Sequence, residues 1–178
     1  YAETCAALAG LFWNWEMAQI TPAAKYSDLF EWQLYNAAAV GMGWSGENYL
    51  YNNPLACRGG ITRKAWYAVP CCPSNISRTW ADLGKYIFSA SAADIWVHQY
   101  IGSRASFDLG GPLQVELESE LPWAGRIGIT LSPSGPQEFS LHLRLPAWCA
   151  EPSVVIRNPG TGLSMALDPG TATAVSFP

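Results

Sequence analysis

The sequence predicts an α+β multi-domain fragment, in which a helical segment is followed by an antiparallel β-sandwich with the boundary near residue 85. Three observations carry this. Up to Gly84 apolar residues recur at helical spacing, and beyond it they alternate in short runs separated by Gly, Pro and Ser turns. The 178 residues are 49% hydrophobic and 13% charged, enough apolar material for a packed core and too little charge for disorder. Length alone would suggest one domain. Yet three helices broken by a long loop are too few for a compact helical domain, so the helical segment reads as the end of something larger.

From Cys5 to Gln19, Leu8, Leu11, Phe12 and Trp15 fall on one helix face. Thr21 and Pro22 stop that helix, with Pro22 suited to the first position of the next. The second helix is expected over Ala23–Val40, with Tyr26, Leu29, Phe30, Gln33 and Leu34 on neighbouring turns, until Gly41 and Gly43 end it. Residues 41–72 form a Gly-, Asn- and Pro-punctuated connection, and loops this long tend to be functional. A third helix begins around Cys72-Pro73-Ser74-Asn75 and runs through Ile76, Trp80 and Leu83 to Gly84. Strands are expected at Tyr86–Ala90, Asp94–Ile101, Leu113–Ser119, Arg126–Leu131, Glu138–Leu145 and Ser153–Arg157. Phe139, Leu141, Leu143 and Leu145, alternating with Ser140, His142 and Arg144, give the cleanest period of two.

Composition narrows the partners. Ten Lys and Arg against fourteen Asp and Glu, a net charge of -4, offer no basic surface, so nucleic acid is not an expected partner. No apolar run reaches the roughly 18–20 residues that span a bilayer, so none is expected to sit in a membrane. No signal-peptide pattern is visible, and without an initiator Met the natural start is expected to lie upstream of Tyr1. Nine Trp and eight Tyr could stack on sugar rings, although core packing is the plainer use of most. The odd set of cysteines, Cys5, Cys57, Cys71, Cys72 and Cys149, argues against a disulfide framework and for thiol chemistry or metal binding.

The sharpest local feature is Cys71-Cys72-Pro73-Ser74-Asn75. With Pro73 in the first helical turn, Cys72 is expected at the cap and Cys71 just outside it, both near the positive end of the helix dipole, where thiolates are stabilised. Two small buried hydrophobes before a helix would look the same, and the residues alone leave both readings open. Glu3-Thr4-Cys5 is the second feature. Residues two apart on a helix point about 200° away from each other, so Glu3 and Cys5 share a target only if the segment is extended or just entering its helix. Taken together, Glu3, Cys5, Cys71 and Cys72 offer one carboxylate and three thiolates, a plausible four-ligand zinc set.

These runs carry a resemblance. Ala2-Glu3-Thr4-Cys5-Ala6, Tyr51-Asn52-Asn53-Pro54-Leu55 and Cys71-Cys72-Pro73-Ser74-Asn75 are similar to motifs of glycoside hydrolase family 127, known for retaining β-L-arabinofuranosidases. Leu121-Pro122-Trp123-Ala124-Gly125 and Arg144-Leu145-Pro146-Ala147-Trp148-Cys149 resemble motifs of the β-sandwich that follows the catalytic domain in that family. The resemblance implies that residues 1–85 are the last helices of an (α/α)6 catalytic barrel and residues 86–178 an incomplete β-sandwich domain. It implies Zn2+ as cofactor, held by Glu3, Cys5, Cys71 and Cys72, with Cys71 also the catalytic nucleophile. Tyr51 becomes a candidate substrate-binding residue.

The implied reaction is the release of β-L-arabinofuranosyl residues from a glycan or glycopeptide, through a thioglycosyl intermediate on Cys71 and with net retention. The family's acid/base glutamate lies upstream of Glu-Thr-Cys, hence upstream of Tyr1, and the 178-residue chain by itself is expected to be inactive. Glu47 is a loop carboxylate that no motif supports as a substitute. His98 and His142 fall on expected strands and read as surface or partly buried residues. Trp66 could meet a sugar or simply pack the loop, Ser74 and Asn75 cap or buttress their turn, and Cys57 and Cys149 are spare thiols. The alternatives are a non-catalytic zinc- or carbohydrate-binding module and a relative acting on a different sugar. The compartment is left between bacterial cytoplasm and periplasm, and oligomeric state is left open.

Overall fold

The computed structural model describes residues 2–21, 23–158, 160, 163–167 and 175–177. The chain divides into two compact units, Tyr1–Tyr86 and Ile87–Pro178. The first is helical and the second is built of β-sheet, so the chain is α+β.

In the helical unit, α1 spans Thr4–Ile20 and buries Leu8, Leu11, Asn14 and Ala18 at helical intervals. α2 spans Ala24–Gln33, with Ala23 at its cap and Phe30 buried. Pro22, expected to open this helix, lies outside the described residues. The two helices approach closely at Gly10, where a Cβ would stand 2.6 Å from Gln33 Nε2. The Asn14 amide fills the seam, donating to the Gly10 carbonyl at 2.9 Å and to Gln33 Oε1 at 3.1 Å.

The second helix was expected to stay regular to Val40. It instead widens into a π turn over Leu34–Ala38 and tightens into a 3₁₀ turn over Ala39–Gly41. The widened turn presents the Ala37 carbonyl to Asn53 Nδ2 at 3.1 Å, tying this helix end to the loop that serves the site. α3 spans Cys71–Ala81, and a 3₁₀ turn follows at Leu83–Tyr86. Leu8, Ala38, Tyr49 and Ile76 form the core between these elements, with Phe12, Met42, Tyr67 and Trp80 packed against it. The long connection is partly organised by isolated bridges, Met42 to Tyr49, Tyr49 to Lys64, and Asn52 to Glu3.

In the sheet unit the strands are β1 (Phe88–Ala90), β2 (Asp94–Val97), β3 (Ser103–Asp108), β4 (Pro112–Ser119), β5 (Ile127–Pro133), β6 (Phe139–Leu143), β7 (Val154–Asn158), β8 (Leu163–Leu167) and β9 (Val175–Phe177). One sheet has the order β1-β2-β6-β9, a second β3-β4-β5, and β7 pairs with β8. Ile95 and Val97 of β2, Leu113, Val115 and Leu117 of β4, and Phe139 and Leu141 of β6 make one core between the two larger sheets.

Among the described residues, pairing is antiparallel except between β2 and β6, which run parallel from Asp94 beside Ser140 to Val97 beside Leu143. A parallel pair needs a long crossover, and the β3–β5 sheet supplies it. β3 has no counterpart among the expected strands because its inward positions, Ser103, Ala105 and Phe107, are only half-buried and mostly small. The strand expected over Asp94–Ile101 stops at Val97. There the His98 N–H turns to the Ile87 carbonyl at 2.8 Å and His98 becomes buried.

Candidate metal centre

The site is assembled from the starts of two helices and one loop. Glu3 is the cap of α1 in extended conformation (φ -88°, ψ 137°), and Thr4 is the first helical residue. Glu3 and Cys5 thus stand at the change from extended chain to helix, which lets two residues so close in sequence converge. The extended part is held by pairing with the loop. The Thr4 N–H donates to the Tyr51 carbonyl at 3.0 Å, and the Asn53 N–H donates to the Ala2 carbonyl at 2.7 Å. The Thr4 hydroxyl, fully buried, donates to the Leu50 carbonyl at 2.8 Å and accepts from Asn53 Nδ2 at 3.1 Å.

Cys71 and Cys72 lie two positions further into their helix than the sequence suggested. Pro70 is the cap, both cysteines are inside the first turn, and the first helical bond is Ser74 N–H to the Pro70 carbonyl at 3.0 Å. Pro73 is tolerated at the third helical position because the N–H it lacks would have had no partner within the helix. It therefore does not exclude Cys72 from the helix.

Glu3, Cys5, Cys71 and Cys72 each offer one ligand atom, and these atoms lie within 4.8 Å of one another. Cys71 Sγ and Cys72 Sγ are 4.0 Å apart, and Glu3 Oε1 is 3.9 Å from the first and 3.7 Å from the second. A tetrahedral centre with metal–sulfur bonds of about 2.3 Å has ligand–ligand edges of about 3.8 Å. The arrangement can therefore hold a metal ion with little movement, and three sulfurs with one oxygen suit a thiophilic divalent metal. All five cysteines of the chain are free thiols, with Cys72 buried, Cys57 exposed, and Cys5, Cys71 and Cys149 between.

The two adjacent cysteines differ electrostatically. The Tyr51 hydroxyl lies 3.0 Å from Cys71 Sγ, and this bond is the main cause that lowers the Cys71 thiol below its ordinary value. The same bond raises the Tyr51 phenol. Cys72 moves the opposite way, since burial raises it against the expected effect of the helix end. Of the two, Cys71 is the thiol whose ionised form its surroundings favour.

Tyr51 is itself propped by a residue the sequence did not single out. The Tyr67 ring lies 5.5 Å from the Tyr51 ring, and the Tyr67 hydroxyl accepts from the Tyr51 N–H at 3.1 Å and donates to the Tyr49 carbonyl at 3.0 Å. Nothing in its spacing marks Tyr67, because its role depends on how the loop folds back. Trp66, the neighbouring candidate, packs edge-on against Tyr49 with ring centres 6.0 Å apart and remains exposed. Glu47 is exposed in the turn before Tyr49. Asn75 does more than buttress a turn, since its Nδ2 donates to Cys5 Sγ at 3.1 Å. Both histidines belong to the sheet unit. His98 is buried, its Nε2 2.7 Å from Ser89 Oγ, and His142 stacks on Trp96 with its Nε2 2.9 Å from Asp94 Oδ1.

Residues 1–85 match the family model described as the catalytic domain of GH127 β-L-arabinofuranosidase, and residues 94–171 match the model of the GH127 middle domain. A non-reducing end β-L-arabinofuranosidase of Bifidobacterium longum subsp. longum is 32% identical over 164 residues, covering 83% of this chain and 25% of that protein. The crystal structure of a GH127 β-L-arabinofuranosidase from Geobacillus stearothermophilus T6 superposes with a TM-score of 0.86 at 31% identity, covering 99% of this chain and 30% of that one. A GH127 β-arabinofuranosidase structure gives 0.84 at 28% identity, with the same two coverages. The chain thus spans between a quarter and a third of the length of the relatives it matches.

Proposed function

We propose, from the premise that the chain belongs to glycoside hydrolase family 127, that it supplies the metal centre and the nucleophile of a zinc-dependent retaining glycosidase that releases β-L-arabinofuranosyl residues. On this reading residues 1–85 are the closing helices of an (α/α)6 barrel, and residues 86–178 are part of its companion β-sandwich. The observation that carries it is the convergence of Glu3, Cys5, Cys71 and Cys72 with the Tyr51 hydroxyl against Cys71.

The chemistry follows from the donor set. Zinc, when bound, keeps the thiols deprotonated near neutral pH and neutralises part of the charge of the Glu/Cys₃ set. Cys71 attacks the anomeric carbon, so that a C–S bond forms as the bond to the leaving oxygen breaks, and that oxygen takes a proton from a general acid outside the four ligands. Water then attacks the same carbon and loses a proton to the conjugate base of that acid. The C–S bond breaks and the Cys71 thiolate is restored, and two inversions give net retention. Once Cys71 is a thiolate, the Tyr51 hydroxyl donates to its sulfur and holds the nucleophile in place, and Tyr51 is the candidate to contact the sugar.

The test uses the longest natural protein that carries these residues. Metal analysis should find one zinc, and an aryl β-L-arabinofuranoside should be turned over by the parent protein and not by Cys71→Ala. Mass spectrometry after rapid quenching should place one anhydropentose on the peptide that contains Cys71. Full activity in the Cys71→Ala protein, or hydrolysis with inversion at the anomeric carbon, would overturn the reading.

A further inference from the structure

A Glu/Cys₃ set surrounds a divalent ion with four negative charges, leaving an excess of about two that the surroundings must offset. Tyr51 meets part of this at Cys71. At Cys5 the partner is Asn75, one turn beyond Cys71 on α3, whose Nδ2 stands 3.1 Å from the sulfur. A side-chain amide can turn either edge to its neighbour, but here its other edge is taken. Arg78 Nε donates to Asn75 Oδ1 at 2.8 Å, which fixes the N–H side toward Cys5. The guanidinium is held in turn over the Phe12 ring, 5.2 Å from its centre, and Phe12 belongs to α1, the helix that also carries Cys5. The Thr79 hydroxyl donates to the Asn75 carbonyl at 2.7 Å and steadies the same turn.

We propose that Asn75, oriented by Arg78, is a positioning residue of the metal centre that places and polarises the Cys5 sulfur, linking a surface cation to the donor set through one amide. This rests on the reading of the four-ligand group as a metal site. The N–H···S bond draws electron density from the sulfur and so reduces the charge the centre must carry. It also ties the Cys5 end of α1 to the α3 turn that bears the other two thiols. Arg78 is exposed and water screens its charge, so its share is the smaller one.

The experiment is a cobalt(II) titration of the chain and of Asn75→Ala, Asn75→Asp and Arg78→Met, read by affinity and by the near-ultraviolet sulfur-to-cobalt charge-transfer band. Far-UV circular dichroism and a thermal melt establish that each variant is folded. Both Asn75 variants should bind cobalt about 10- to 100-fold more weakly. Their band should move to longer wavelength, because a sulfur without its hydrogen bond gives up an electron more easily. Arg78→Met, which leaves Asn75 in place, should lose about threefold and shift in the same direction, and it decides the matter if the Asn75 variants do not fold. Variants that bind as the parent does, or that weaken without any band shift, overturn the role given to Asn75 while leaving the metal centre intact. A parent chain that takes up no cobalt overturns the metal-site reading and this inference with it.

Discussion

His98 offers a quantitative test of the sheet unit. The residue is 8% exposed, just beyond the end of β2, with Ser89 Oγ 2.7 Å from its Nε2 and its carbonyl accepting from Arg144 Nε at 2.7 Å. Burial, assisted by the Arg144 charge, pushes its pKa down from 6.5 to about 4. The folded unit therefore holds the ring neutral where the unfolded chain protonates it. Stability is complete above the unfolded value and falls as pH drops from about 6.5 toward about 4, because in that window the unfolded state binds the extra proton. The full gap is worth about 3 kcal/mol, with about 2 kcal/mol lost between about pH 7 and 5. Below about pH 4 both states are protonated and this contribution changes no further.

The assay is urea denaturation followed by tryptophan fluorescence across that range, on the parent chain and on His98→Gln, which cannot titrate. At an m-value of about 1–2 kcal/mol/M, the parent midpoint should fall by about 1–2 M more than that of the variant between about pH 7 and 5. Asp94, held below the ordinary carboxylate range by His142, acts in a separate window. Its contribution is lost only as pH falls past that range, and both proteins share it. A parent and variant whose midpoints run parallel over the whole range would refute the buried neutral imidazole.

Two further outcomes concern the helical unit. In the metal-free chain, Tyr51→Phe removes the main cause that lowers the Cys71 thiol, so alkylation of Cys71 by iodoacetamide, followed by peptide mapping, should begin at higher pH than in the parent. An unchanged profile at Cys71 would count against the Tyr51 bond. Gly41→Ala places a Cβ 2.7 Å from Thr4 Cγ2 and 3.2 Å from Ile76 Cδ1, both in fully buried side chains with no room to give. It should cost about 1–3 kcal/mol in thermal or urea melts. It should also weaken metal binding, because Thr4 follows Glu3, and a variant that melts with the parent would refute the close approach.

What could be read from the sequence divides along a physical line. The period change at Gly84 is local, and it separates helices from strands without reference to packing. The Glu-Thr-Cys and Cys-Cys-Pro runs are also visible as residue types, and the structure brings all four of their donor atoms together. What could not be read depends on approach in space. The widening of the second helix answers to Asn53 and the buried Thr4, residues far from it in the chain. Tyr67 matters only once the loop returns its hydroxyl to Tyr51, and β3 is silent because Ser103 and Ala105 carry little apolar signal. Asn75 was visible as a motif residue, but its bond to Cys5 depends on α1 and α3 meeting. The opposite behaviour of the two adjacent thiols was equally hidden, since it turns on which sulfur faces the phenol and which is buried.

The placement of the donors follows from what helix starts leave unfinished. The first turn of a helix has N–H groups without intrahelical partners and carries the positive end of its dipole, so it favours anionic neighbours. In α3 two of those N–H groups are removed by Pro70 and Pro73, and the ones left belong to Cys71 and Cys72. In α1 the cap position is Glu3, which makes no side-chain capping bond and is free to turn its carboxylate to the thiols instead. Neither helix has a basic residue in its last turn other than Arg78 of α3, the residue that orients Asn75. Two helix starts facing one point thus bring three thiols and a carboxylate together, where the Tyr51 hydroxyl lowers the Cys71 thiol and burial raises that of Cys72. On the proposed reading, the helix starts fix the geometry of the four donors, and a bound metal would supply the positive charge that the buried Cys72 needs to ionise.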